Sequence, residues 1–132
     1  MTRRPILLAA ALGLGVLCQS NAGAQAPAPA GDPAKGAAIF NANCSTCHST
    51  TQTSADSTSL SLFGVVGRKS GSNADFSYSP AMQAAGLTWT PDKLDAYLTN
   101  PPALVPGNIM YFPGLPDPAD RTNVIAYLAT LK

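Results

Sequence analysis

The run Cys44-Ser45-Thr46-Cys47-His48 narrows what this chain can fold into more than any other stretch. Two thiols separated by two residues, with an imidazole directly after, suit a redox disulfide, half of a zinc site or a haem anchor. A thioredoxin-like redox pair expects a strand-to-helix setting, and the sequence offers no convincing strand run. Zinc wants about four Cys, His or carboxylate ligands; His48 is the only histidine and no second cysteine pair exists, so aspartates would have to be recruited. A plain disulfide leaves His48 without a role. Haem attachment uses all three residues at once. The thiols add to the two vinyl groups as thioethers, and the adjacent imidazole lies under the iron, the CxxCH spacing being the signature of c-type haem attachment.

The third cysteine, Cys18, sits in a segment of different character. Arg3 and Arg4 precede an apolar run from Ile6 to Cys18, and small residues follow around Ala22-Gly23-Ala24-Gln25-Ala26. That order predicts a secretory signal peptide over residues 1–26, cut after position 24 to 26. The run is too short to span a hydrocarbon core of about 30 Å, and the bulky Leu17 argues against lipidation at Cys18, so no stable membrane anchor is expected. A short Ala/Pro leader, 27–30, would follow, and one domain, 31–132. Export to the periplasm would leave Cys44 and Cys47 as the only thiols, in a compartment that favours oxidised or modified cysteine. Lys35, Arg68, Lys69, Lys93, Arg121 and Lys132 nearly balance seven aspartates. No electrostatic case for nucleic acid or an anionic membrane arises.

Four sites carry a small polar residue followed by proline: Asp32-Pro33, Ser79-Pro80, Thr90-Pro91 and Asp117-Pro118. The polar side chain caps a free backbone N–H, and proline suits the first helical position because its missing donor is not needed there. Helices are therefore predicted over 33–43, with Gly36, Ile39 and Phe40 on one face; over 80–85, stopping at Gly86; over 91–99, burying Leu94, Tyr97 and Leu98 and ended by Pro101-Pro102; and over 118–131, with Val124, Leu128 and Leu131 in line. The reading is an all-α chain of short helices and long loops. Residues 49–75 are mostly Ser, Thr, Gly and Asn, and residues 100–116 are punctuated by proline. Structureless loops of that length are uncommon in a compact domain, and so few short helices offset little ordering entropy. A large apolar cofactor wrapped by the loops resolves both difficulties.

With one histidine in the chain, a second axial ligand must be something else, and sulfur is the obvious choice. Met82 falls in the short second helix, where a methionine serves as a gap-filler. Met110 falls in Pro106-Gly107-Asn108-Ile109-Met110-Tyr111, a stiff loop on no helical stripe. A stiff loop loses little entropy when its thioether binds iron, so Met110 is the expected ligand.

In this order and spacing the sequence resembles class I cytochrome c from residue 31 to 131. The likeness runs through Gly31-Asp32-x-x-Lys35-Gly36-x-x-Ile39-Phe40, the CxxCH, Gly64-Val65-Val66-Gly67-Arg68-Lys69-Ser70-Gly71 and Phe76-Ser77-Tyr78. It continues through Leu87-Thr88-Trp89, Tyr97-Leu98-Thr99-Asn100-Pro101, Pro106-Gly107-x-x-Met110 and Ile125-Ala126-Tyr127-Leu128. The resemblance implies the class I cytochrome c fold around one covalently bound haem c, thioether-linked at Cys44 and Cys47, with His48 and Met110 as axial ligands, the His/Met pairing general to cytochromes c. It further implies that Gly36 and Phe40 meet Tyr127 where the first and last helices cross. Arg68, Tyr78 and Trp89 resemble the groups that hold the haem propionates, and Tyr97 the tyrosine near the methionine sulfur. The chain also departs from the pattern. Ser59-Leu60-Ser61-Leu62 replaces Gly-Pro-Asn-Leu, whose proline position offers its carbonyl to the histidine N–H; Met82 replaces a polar residue near the haem; and Asn108-Ile109 replaces a common Thr-Lys. The many docking lysines of mitochondrial relatives are missing.

The function implied is that of a periplasmic, monomeric one-electron carrier, not an enzyme. Its partners would be redox proteins such as an oxidase, a reaction centre or a dehydrogenase. Two alternatives stand beside it: a haem enzyme or ligand sensor of peroxidase-like character, which needs a displaceable methionine, and an electron-transfer subunit dedicated to one periplasmic dehydrogenase.

Overall fold

Every helix in the computed structural model, which describes residues 30–53 and 59–132, begins at a capped Xaa–Pro pair. In chain order the elements are α1 (Pro33–Asn43), β1 (His48–Ser49), β2 (Leu60–Ser61), α2 (Pro80–Ala84), α3 (Pro91–Thr99), α4 (Pro101–Leu104) and α5 (Pro118–Thr130). Asp32 accepts the Ala34 N–H at 2.9 Å and Asp117 the Ala119 N–H at 2.8 Å, while Ser79 and Thr90 cap α2 and α3 in the same way. The expected signal peptide and most of the leader lie outside the described residues.

Two features differ from the expectation. Pro101-Pro102 does end α3, but it also starts α4, because Asn100-Pro101 is a fifth copy of the same start signal. The Asn100 backbone N–H closes α3 on the Ala96 carbonyl, and its side chain caps α4 by accepting the Ala103 N–H at 3.3 Å. The chain is also not wholly without strand. β1 and β2 pair in parallel, with His48 opposite Leu60 and Ser49 opposite Ser61. A two-residue pair leaves no alternating run in the sequence by which to find it. Gly86 stops α2 with φ of +62°, a backbone that favours glycine.

The main helix–helix interface joins the two ends of the domain, α1 and α5. It requires a residue without a side chain: a Cβ on Gly36 would stand 2.0 Å from the Asn123 carbonyl oxygen. Beside that contact the Phe40 and Tyr127 rings meet at 5.5 Å, and the Asp32 N–H donates to Asn123 Oδ1 at 2.8 Å. The core continues through Leu94 and Tyr97 of α3, Val105, Leu115, and Val124, Ile125 and Leu128 of α5. Ile39, Leu98 and Leu131 pack against it only half-buried.

Arg121 ties α5 to the loop ahead of it. The guanidinium is buried, with Nε 2.7 Å from Asp95 Oδ1 and Nη1 donating to the Leu115 and Pro116 carbonyls at 2.8 and 3.0 Å. A buried cation is tolerated when its donors are met in this way. The loop from Val105 to Pro116 is thus fastened at its C-terminal end while its middle stays in reach of the α3 face.

Candidate haem-binding cavity

The elements leave a cavity of about 380 Å³ between α1, α3, α5 and the loops. Its walls are largely aliphatic and aromatic. Leu62, Val65, Leu94, Leu98, Phe112 and Leu128 contribute, together with Met82 of α2. Apart from Met82, which the sequence already places near the haem, none of these carries a signal that marks a site residue. The helical stripe of Leu94 and Leu98 in α3 was visible in the sequence, whereas the loop residues carry no periodic signal.

All eight residues expected at the site meet here, Tyr97 and Trp89 as one aromatic pair. Cys44, Cys47, His48, Arg68, Tyr78, Trp89, Tyr97 and Met110 line the same cavity. Cys44 caps the C-terminal end of α1 and the turn to β1 carries Cys47; the two are not joined in a disulfide. Burial, with the neighbouring Cys47 second, pushes the Cys44 thiol up to about 11, so it rests as a protonated thiol at neutral pH.

His48 begins β1, and β2 opposite presents the Leu60 carbonyl 3.2 Å from Nδ1. Leucine in place of proline therefore keeps the carbonyl in position. With Nδ1–H donating there, Nε2 is the nitrogen left with a lone pair. Burial holds His48 below the ordinary histidine range despite that hydrogen bond, which favours the neutral form that can ligate metal.

Met110 is held by Asn108, a residue sequence reasoning noted only as a departure. Asn108 Nδ2 donates to the Val105 carbonyl at 2.9 Å and Oδ1 accepts the Met110 N–H at 3.0 Å. The side chain makes its own turn, which is how asparagine stabilises a loop. The Tyr97 hydroxyl points at Met110 Sδ from 4.0 Å. Burial pushes that hydroxyl up to about 12, so it remains a donor across the neutral range.

The three residues expected at the propionates are less alike than their grouping implied. Arg68 spends Nη1 and Nη2 on the Phe63 and Ser61 carbonyls, each at 3.0 Å, leaving part of its five-donor fork for a carboxylate. Trp89 is buried against Tyr97, ring centroids 5.0 Å apart, and its indole N–H has no partner among the described residues. Tyr78 is half-buried and stacks edge-on with Phe76; burial raises its hydroxyl, partly offset by the nearby Arg68 cation and the Asn73 backbone.

Two thiols, a neutral imidazole and a thioether in one apolar cavity fit a haem and fit no carboxylate-rich metal centre. Among the described residues no three His, Cys, Asp or Glu side chains gather to hold a bare ion. The family model for cytochrome c matches residues 33–132, the whole of the cavity. The chain belongs to the cytochrome c family.

Among its relatives, the cytochrome c2 of Rhodopila globiformis is 45% identical over 105 residues, covering 80% of this chain and 98% of that protein. The cytochrome c2 of Rhodomicrobium vannielii is 48% identical over 101 residues, covering 76% and 80%. Of solved structures, cytochrome cH from Methylobacterium extorquens superposes with a TM-score of 0.69 at 40% identity, over 76% of this chain and 99% of that one. The fold is that of class I cytochrome c, and the cofactor of the family is one covalently attached haem c. Its members are electron carriers. No helix among the described residues is long and apolar enough to cross a membrane.

Proposed function

We propose that this cytochrome c is a periplasmic one-electron carrier whose haem is anchored at Cys44 and Cys47 and whose iron is held between His48 and Met110. The observation that carries the reading is the state of the two ligand atoms. Nδ1 of His48 is occupied by the Leu60 carbonyl, and Met110 is fixed through its backbone by Asn108. Nε2 and Sδ are what these residues have left to offer the cavity they share.

Bound haem supplies a reversible ferric/ferrous couple, and a neutral thioether ligand raises its potential. The chain's own part is positioning and exclusion. The end of α1 and the turn after it present the thiols, β2 orients the imidazole, and the apolar walls keep water from the ring. With His48 and Met110 both given to the iron, a bound haem would have no position open to a substrate, which suits outer-sphere electron transfer rather than the enzyme or sensor alternative. Arg68, Tyr78 and the Trp89 N–H, which has no partner among the described residues, are the groups available to the propionates.

The partner-facing side is read from charge. Residues 96–116 contain no acidic or basic side chain, and within them Ile109 and Tyr111 are 69% and 107% exposed on either side of Met110. Such a face suits contact with an apolar patch on a redox protein and gives little electrostatic steering. The expected signal peptide supports export, and mass spectrometry of the secreted protein tests cleavage after residue 24 to 26.

The decisive experiment is the oxidised spectrum of the holoprotein. Sulfur ligation gives a weak far-red band, which Met110→Ala abolishes and Met82→Ala leaves in place. If Met82→Ala removes the band, or the wild type lacks it and binds cyanide tightly, the His/Met carrier reading falls.

A further inference from the structure

Ser61 is among the most deeply buried side chains, at 2% exposure, yet it is polar and forms no part of the cavity wall. A buried hydroxyl is destabilising unless its hydrogen bonds are met, and here they are met on several sides. Its Oγ donates to the Thr51 carbonyl and accepts the Phe63 N–H at 3.2 Å, while its own carbonyl receives Arg68 Nη2 at 3.0 Å. The Leu62 N–H next along donates to the Ser49 carbonyl at 2.9 Å. Residue 61 is thus fastened to β1, to the segment after β1 and to the Arg68 loop. The peptide group between Leu60 and Ser61 is the one whose carbonyl meets His48 Nδ1 at 3.2 Å.

We propose that Ser61 is a positioning residue for the iron ligand: by bridging Thr51 and Phe63 its hydroxyl fixes the Leu60 carbonyl against the Nδ1–H of His48. This rests on His48 being the axial ligand. The orientation of a peptide plane is set by the torsions on either side of it, and Ser61 supplies one of them. With the carbonyl held, the imidazole donates a proton-sharing bond that makes Nε2 more basic. A more basic ligand favours ferric over ferrous iron, so the clamp lowers the potential. Released, the carbonyl drifts, the imidazole donates less, and the potential rises.

Ser49 provides the internal control. It lies opposite Ser61 in the strand pair and directly follows His48, and its Oγ is buried with no partner among the described residues. Ser49→Ala therefore removes a neighbouring buried hydroxyl without breaking a hydrogen bond among the described residues.

The test uses holoprotein and two readouts, a redox titration and hydrogen exchange of the His48 ring N–H by NMR in the ferrous state. Ser61→Ala is expected to shift the ferric/ferrous equilibrium roughly two- to fivefold toward ferrous, about 18–41 mV upward at 59 mV per tenfold. It should also speed exchange of the ring N–H about tenfold or more with the far-red sulfur band unchanged. Ser49→Ala should do neither. The role of Ser61 is overturned if Ser61→Ala leaves both readouts at wild-type values, or if Ser49→Ala moves them equally. Should Ser61→Ala not accumulate as holoprotein, the wild type decides: one opening event must expose both the Phe63 amide and the His48 ring N–H, and independent exchange of the two overturns the clamp. A His48 ring N–H with no haem ring-current shift in the wild type removes the ligation reading itself, an outcome distinct from an unmoved potential.

Discussion

Gly36→Ala sets two effects of one substitution against each other. Position 36 lies inside α1, where alanine is favoured over glycine by about 0.8–1.0 kcal/mol, so propensity alone predicts a gain. Geometry predicts the reverse. The new Cβ would lie 2.0 Å from the Asn123 carbonyl oxygen, 2.6 Å from its carbonyl carbon and 2.8 Å from Tyr127 Cβ, whereas ordinary contact starts at 3.4 Å. Two of these three neighbours are backbone and cannot swing aside, so α1 and α5 must part by roughly 1 Å or more. Parting them strains a well-packed core by roughly 1–3 kcal/mol, weakens the Phe40–Tyr127 ring contact by about 1 kcal/mol and stretches the Asp32–Asn123 bond for about another. Set against the propensity gain, the expected net loss is roughly 2–4 kcal/mol. In urea unfolding of the holoprotein, with a slope of about 2 kcal/mol/M, the midpoint should fall by roughly 1–2 M. Ala38→Gly, at an exposed position of the same helix, should cost about 1 kcal/mol from propensity alone. A Gly36→Ala midpoint at or above wild type would refute the close-approach reasoning.

Asn108→Ala removes both side-chain bonds that set the Met110 backbone; exogenous imidazole should then displace the methionine with roughly tenfold higher affinity, about 1.4 kcal/mol, read from loss of the far-red band. Tyr97→Phe takes a donor from the sulfur 4.0 Å away, which leaves the sulfur richer and should shift the redox equilibrium about twofold toward ferric, about 18 mV downward. Arg121→Ala strands the Leu115 and Pro116 carbonyls as well as Asp95. It should cost roughly 3–5 kcal/mol in denaturant titration, more than Asp95→Asn, which keeps Arg121 bonded to both carbonyls.

The parts of the structure legible in advance were those with a local chemical signal. Polar–proline pairs located four helix starts, and the CxxCH with Met110 in its stiff loop located the cavity, because each is a short pattern tied to one geometry. The same rule applied to Asn100-Pro101 would have found α4, but consecutive prolines read first as a stop, and here Asn100 performs both tasks. What escaped depends on contacts between distant segments. The β1–β2 pair is two residues on each side and has no period to detect. Asn108 looked like a departure because its turn exists only once Val105 and Met110 stand on either side of it. Arg68, grouped with the propionate residues, has half its work in the Phe63 and Ser61 carbonyls, a role that no spacing in the chain announces.

The α1–α5 interface joins the first helix of the domain to the last, and this bears on the order of events during folding. The segment bearing Cys44, Cys47 and His48 leads the domain, whereas the surface that receives Gly36 and Phe40 belongs to its final turns. Closing that contact brings together the most widely separated helices of the domain, a step that waits for nearly the whole chain. Until residues 118–130 arrive, α1 has no helix to dock against. The first helix of the domain therefore gains its main partner only when the last one has been made.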